Sequence, residues 1–251
     1  MTSQHDPTEQ LRRTIDLLWG EWARPARGPK PSLTLDRIVD AAIALADREG
    51  IDALSMRRVA AELGAGTMSL YRHVPGKAEL LALMLDKVSD PGEEAAGLAG
   101  AGWRAVVEMV ARGSYQMYLR HPWLLQINWT RPVMGPNTLA SVEVFVRGLA
   151  GLPVTDQEKI SIMIMVDGFV TGLARQRVQQ AALPDETGVT DDEFWRNHIP
   201  VLSKAMTSGS YPAMAALSED AFSLGWDETF EFGLQRLLDG IASLLSSRPA
   251  L

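Results

Sequence analysis

Ser55-Met56-Arg57-Arg58-Val59-Ala60-Ala61-Glu62-Leu63-Gly64, continuing through Ala65-Gly66-Thr67-Met68-Ser69-Leu70-Tyr71-Arg72-His73-Val74-Pro75-Gly76-Lys77, is the stretch on which the fold turns. Ser55 is a helix-capping residue type, and Gly64 tolerates the left-handed backbone that ends a helix. The helix between them is short, with Val59, Ala60 and Leu63 facing inward. Residues 67–73 form a second short helix, which Pro75 prevents from extending. Two short helices pinned by a glycine turn, the second carrying hydroxyls, an aromatic ring and basic groups, have the shape that enters the major groove of duplex DNA.

Outward from this corner the chain reads as helix almost throughout, and no run alternates with the period of a strand. Residues 34–49 make a helix with Leu35, Ile38, Val39, Ala42, Leu45 and Ala46 inside, capped by Thr34 and closed by Gly50. Residues 76–88 make another, with Leu80, Leu81, Met84, Leu85 and Val88 as core candidates and Glu79 near its positive end. Residues 8–22 read either as an amphipathic helix with Leu11, Ile15, Leu18 and Trp22 on one face or as a frayed extension. The prolines and glycine of 24–31 break any helix between them. Beyond a Gly- and Ala-rich joint at 91–100, helices are expected near 101–120, 122–130, 137–150, 156–182, 191–207 and 227–246. The predicted fold is all-α. Residues 1–33 form an N-terminal extension with a basic arm, 34–90 a helix-turn-helix bundle, and 91–251 a larger helical domain.

Length and composition bound the function. A chain of 251 residues, 46% hydrophobic, suffices for one large domain or two modest ones. Its net charge of −7 is unevenly spread. Residues 24–90 carry ten Lys and Arg against nine Asp and Glu, whereas 91–251 carry twelve against eighteen, so the acidity lies away from the corner. The absence of cysteine excludes disulfides, thiol catalysis and cysteine-based zinc sites. The polar start lacks a signal-peptide core, and the apolar patch at 160–174 is too short and too charged to span a bilayer. A cytoplasmic protein without membrane attachment is expected.

The corner has specific chemistry to offer DNA. Thr67, Met68, Ser69 and Tyr71 project within about one helical turn, as base-edge contacts require. Arg57 is placed for either a base or a phosphate, and His73 and Lys77 suit phosphate oxygens. Tyr71 reads as a phosphate contact through its hydroxyl or as half-buried structure. Leu63, Leu70 and Val74 belong to the core. Arg27 and Lys30, in the extended stretch before the bundle, read either as an arm in the adjacent minor groove or as a solvated linker.

The order of these signals closely resembles the TetR family of transcriptional repressors: a helix ending in Gly50, then Leu54 to Gly64, then Leu70-Tyr71-Arg72-His73-Val74, then Lys77 and Leu80-Leu81. The resemblance is strong over 34–90. More weakly, 103–132 and 160–180 are similar to the C-terminal domain of tetracycline repressors. It implies an all-helical homodimer whose N-terminal bundles hold a palindromic operator, while a ligand in the C-terminal domain causes release. It also implies DNA-contact roles for Ser55, Arg57, Thr67, Ser69, Tyr71, His73 and Lys77. Met68 stands where tetracycline repressors have proline, so their base preference does not transfer.

In the C-terminal part, Trp103, Met109, Trp123, Trp129 and Met163 are soft or aromatic side chains suited to an adaptable apolar pocket, although most such residues serve as core. Asn128, Asp167 and Gln176 interrupt apolar surroundings and read as effector-orienting groups or as helix-capping and interhelical partners. Asn128 falls near the magnesium-binding histidine of tetracycline repressors, and the remaining histidines, His5, His121 and His198, show no metal spacing, so no metal or cofactor is expected. The effector expected is a small, mainly apolar molecule. Dimerisation is expected through helices 156–182 and 227–246 as a four-helix arrangement, with Gly168 and Gly172 on one face. No serine elbow or phosphate loop occurs, and the carboxylate clusters Asp191-Asp192-Glu193 and Asp227-Glu228 sit at helix starts, so the chain is not read as an enzyme. The remaining alternatives are a helical adaptor, a constitutive regulator without effector response, or an activator.

Overall fold

The computed structural model describes residues 6–20, 33–98, 100–128 and 133–248. Among them no strand occurs. The helices are α1 (Pro7–Leu18), α2 (Leu35–Glu49), α3 (Met56–Glu62), α4 (Thr67–Tyr71), α5 (Lys77–Val88), α6 (Trp103–Arg120), α7 (Pro136–Gly148), α8 (Asp156–Thr187), α9 (Asp191–Thr207), α10 (Pro212–Ala215) and α11 (Trp226–Ser246). Short 3-10 segments occupy Ile51–Ala53, Glu93–Leu98 and Pro122–Gln126.

Several of the long helices begin on a side-chain cap that the local sequence supplies. Thr34 accepts from the Arg37 amide, and Thr155 and Thr190 form reciprocal capping boxes with Glu158 and Glu193. α5 is the central spar of the N-terminal bundle. α1 and α2 both pack on it, and its buried Leu80, Leu83 and Met84 join a continuous core that runs from Leu17 on α1 to Ile241 on α11. In the second part α6 lies against α8, with α7 and α11 flanking α6 and α8. Phe169 of α8 meets the backbone of α11 at Gly233, where a Cβ would stand only 2.4 Å from the Phe169 ring.

Several helices differ from expectation. α1 buries Thr14, Leu17 and Leu18, leaving Leu11 and Ile15 exposed. The Thr14 hydroxyl donates to the Gln10 carbonyl at 2.9 Å, so a polar residue is accommodated on the inner face. Trp22 lies outside the described residues. The helix expected over 122–130 is a 3-10 turn over Pro122–Gln126, after which Ile127 and Asn128 are non-helical. α8 continues five residues past 182, through Pro184, and ends on Gly188.

Residues 189–225 bear large apolar side chains that the other described residues leave uncovered. Phe194, Trp195, Ile199, Val201, Phe222 and Leu224 are all exposed, and α9 buries no residue. Its packing is chiefly with α10.

Candidate nucleic-acid interface

The α3–α4 corner is built by backbone chemistry. The Ser55 hydroxyl accepts from the Arg58 amide at 3.3 Å, starting α3. α3 ends in a Schellman pair: the Ala65 amide donates to the Ala60 carbonyl at 2.9 Å, and the Gly64 amide to Ala61 at 3.1 Å. Gly64 stands at φ 60°, the left-handed conformation that this closure requires and that a side chain disfavours. α4 follows at once. Leu70 and Val74 are fully buried and hold it against the bundle, while Met68 and Tyr71 are 74% and 44% exposed. Thr67, Ser69 and His73 are half-buried beside them, and Arg57 and Arg72 are exposed.

Several other charges of the N-terminal bundle are internally engaged. Arg58 pairs with Glu49, which also takes Arg48 at 2.9 Å; Arg48 in turn pairs with Glu62. Arg58, with Arg48 behind it, holds the Glu49 carboxyl below its ordinary range. Lys77 leans on the Ile51 carbonyl at 3.4 Å. Thus Thr67, Met68, Ser69, Tyr71 and His73 share one short helix and its exit, with Arg57 on the helix before. Ser55 acts first as a cap. Arg27 and Lys30 lie outside the described residues.

The sensor candidates fall into separate places. Trp103 and Met109 are half-buried on the first half of α6, Met109 beside Val106 and Val144. Trp123 is fully buried and turned toward the N-terminal bundle: its indole Nε1 donates to Asp47 of α2 at 2.7 Å, and His121 Nδ1 lies 2.8 Å from the same oxygen. Met163, Asp167 and Gln176 all lie on α8, where Met163 packs against the core and Gln176 is exposed. Asn128 is exposed, and Trp129 lies outside the described residues.

Asp167 accepts from the Tyr118 hydroxyl at 3.4 Å. Although the residue as a whole is exposed, crowding of its carboxyl pushes the Asp167 pKa up. Burial, reinforced by the Asp167 charge, pushes Tyr118 up to about 12. One helical turn on, the buried Thr171 hydroxyl faces the Tyr118 phenol, an interaction that opposes the upward shift. Tyr118 and Thr171 are not legible in the sequence because only the packing of α6 on α8 brings them to Asp167.

Two grooves open on this half. One of about 300 Å³ runs between α8 and α11, past Ile162, Met165, Leu237, Gly240 and Leu244. The other, about 340 Å³, is lined by Arg177, Gln180, Pro184, Asp191 and Trp226. Among the described residues no three His, Asp or Glu side chains converge as a metal site, and no helix is long and apolar enough to cross a membrane.

Comparison with known proteins places these features in a lineage. Residues 38–84 match the family of bacterial regulatory proteins, tetR family, and residues 96–245 match the tetracyclin repressor-like C-terminal domain. The chain is 53% identical over 238 residues to the HTH-type transcriptional repressor DrrR1 of Streptomyces coeruleorubidus, covering 95% of this chain and 88% of that protein. It is 31% identical to an HTH-type transcriptional regulator of Saccharopolyspora erythraea, over 88% of this chain and 91% of the relative. Among solved structures, the Streptomyces coelicolor TetR family protein ActR in complex with actinorhodin aligns with a TM-score of 0.62 at 29% identity, covering 86% and 98% of the two chains.

Proposed function

The chain belongs to the TetR family of bacterial transcriptional regulators, and from that membership we propose a cytoplasmic homodimeric repressor that grips a palindromic operator and releases it when a small, mainly apolar effector binds. Residues 34–90 form its DNA-binding unit, and residues 91–251 its effector and dimerisation unit. The observation that carries the reading is α4 itself. Leu70 and Val74 anchor it while Thr67, Met68, Ser69 and Tyr71 are left for base edges and phosphates, with Arg57 beside them. Ser55, His73 and Lys77 flank the helix and serve the phosphate backbone, and Arg27 and Lys30 extend the reach along the duplex.

Support for a dimer comes from apolar surface left uncovered among the described residues. Ile164 and Met165 of α8 and Phe232 of α11 are exposed, and the 189–225 segment adds Phe194, Trp195 and Phe222. Surface of this kind on a water-soluble chain marks an interface. A second copy packed along α8 and α11 would present two α4 helices to successive major grooves. For the effector, Trp103, Met109, Trp129 and Met163 supply apolar bulk, and Asn128, Asp167 and Gln176 the polar groups, with the Tyr118 and Thr171 hydroxyls beside Asp167 as further orienting points; the expected Trp123 is instead buried on Asp47 at the domain junction. The similar regulator ActR has been solved with actinorhodin bound. Release then follows from differential effector affinity for two headpiece arrangements.

Selection from random duplex DNA tests the reading. Paired, inverted half-sites should be enriched. Arg57→Ala with Tyr71→Phe should weaken binding at least ~10-fold, and loss of the Arg57 charge should flatten the slope of log affinity against log salt by about one. No enrichment, or unchanged affinity and salt slope in the double variant, would refute it.

A further inference from the structure

We infer that Asp86 and Asp47 are positioning residues, which mount each DNA-binding unit on the second domain at two points and thereby set the half-site spacing the dimer accepts. The inference rests on the dimeric-operator reading above and assigns the parts that fix its geometry.

α7 begins without a side-chain cap from its own sequence. Its N-cap is Gly135, which has no side chain to offer, and its first residue is Pro136, which has no amide hydrogen. The next two amides need an acceptor. Asp86, on the last turn of α5, supplies it from across the domain junction. Its Oδ1 accepts from the Thr138 amide at 2.9 Å and the Thr138 hydroxyl at 2.9 Å, and its Oδ2 from the Asn137 amide at 3.4 Å. Asp86 is 6% exposed, and its carboxylate meets the positive end of α7. A Cβ at residue 135 would stand 2.4 Å from that carboxyl, so glycine is the residue that lets α5 approach. The Ser141 hydroxyl donates to the Ser89 carbonyl at 2.6 Å just beyond, continuing the seam. The Trp19 indole, at the end of α1, donates to the Met134 carbonyl at 3.2 Å on the segment that leads into it.

The second mount is on another helix of the same bundle. Asp47, near the end of α2, takes the buried Trp123 indole and faces His121. A single attachment is a pivot, whereas two on separate helices oppose rotation about either. An inserted base pair moves a half-site by about 3.4 Å along the duplex and turns it by about 35°. A rigid mount penalises that displacement and a loose one follows it.

The experiment compares the selected operator with versions gaining or losing one central base pair, using the full-length protein. Wild type should discriminate against altered spacing by roughly 100-fold, and Asp86→Ala should reduce the ratio to roughly 10-fold or less. General destabilisation would weaken binding to all three duplexes alike and leave the ratio unchanged. The decisive variant is Asp86→Ala combined with Gly135→Ser, which gives α7 a cap of its own while the link to α5 stays cut. Its thermal stability should recover, and its spacing tolerance should remain relaxed. Thr138→Ala and Asp47→Asn, milder changes at the two mounts, should each move the ratio the same way. If these variants fold and keep the wild-type ratio, or if spacing discrimination returns with the restored cap, the inference is overturned. If wild type enriches no paired half-sites, the dimeric-operator reading fails, and this inference with it.

Discussion

Gly233 offers a test in which the sign of an effect should reverse. A Cβ there would lie 2.4 Å from Phe169 Cε2 and 2.6 Å from Cζ, where carbon atoms normally settle at about 3.5–4.0 Å. More than an ångström must be found. The ring has little room to yield, because it stacks on Phe230 at 5.7 Å, and Phe230 stacks on Tyr115 at 4.2 Å. Overpacking of this size costs about 1–3 kcal/mol. Alanine in place of glycine inside a helix returns about 1 kcal/mol. Gly233→Ala should therefore range from nearly neutral to about 2 kcal/mol destabilising in the native background. In a Phe169→Ala background the obstruction is gone, and the same change should stabilise by about 1 kcal/mol. The coupling between the two sites is then about 1–3 kcal/mol. Urea unfolding followed by circular dichroism, at one fixed protein concentration because association shifts apparent stability, measures all four corners of the cycle. An equal effect of Gly233→Ala in both backgrounds would show that α11 and α8 do not meet as described.

Two further outcomes are expected. Arg248 foremost, then Thr155, holds the Glu158 carboxyl at about 2, below the ordinary value of about 4.3; a depressed folded-state pKa contributes stability above the unfolded value that disappears as pH falls toward the folded one. Urea midpoints should therefore fall between pH ~4.5 and ~2 more steeply in wild type than in Glu158→Gln, and identical slopes would contradict the Arg248 pairing. Replacing Phe194 and Trp195 together by serine should leave the helical content intact yet raise the dimer dissociation constant by roughly 30-fold or more, the value of one buried aromatic anchor; sedimentation showing an unchanged constant would remove residues 189–225 from the interface.

Local signals made much of this architecture readable in advance. Thr34, Ser55, Gly50, Gly64 and Pro75 act within a few residues of themselves, so the limits of α2, α3 and α4 follow from neighbours in sequence. That α4 turns Met68 and Tyr71 outward was legible because its anchors and its outward groups alternate within one turn. Where a distant partner decides, the sequence was silent. The buried face of α1 is selected by α5, and Thr14 joins it only because its hydroxyl is satisfied on its own helix. The stretch after Pro122 is drawn into a 3-10 turn in which Trp123 reaches Asp47, 76 residues earlier. α8 passes through Pro184 near its end, where only the last turn depends on the missing amide, while the exposed residues there carry little apolar period to mark the stop. Asp86 did carry a signal: it is an acid within the apolar run from Leu80 to Val88. Its meaning depended on two amides some fifty positions away.

The division of labour along α4 also bears on how such proteins diverge. Met68 contributes almost nothing to the interior, and changes at positions of its kind usually move stability by no more than about 0.5 kcal/mol. Leu70, two residues on, has no such freedom. On the reading proposed above, one copy after a gene duplication would explore new DNA sequences through residue 68 along a nearly level path. The scaffold is inherited unchanged, and a lineage can acquire many targets without relearning how to fold.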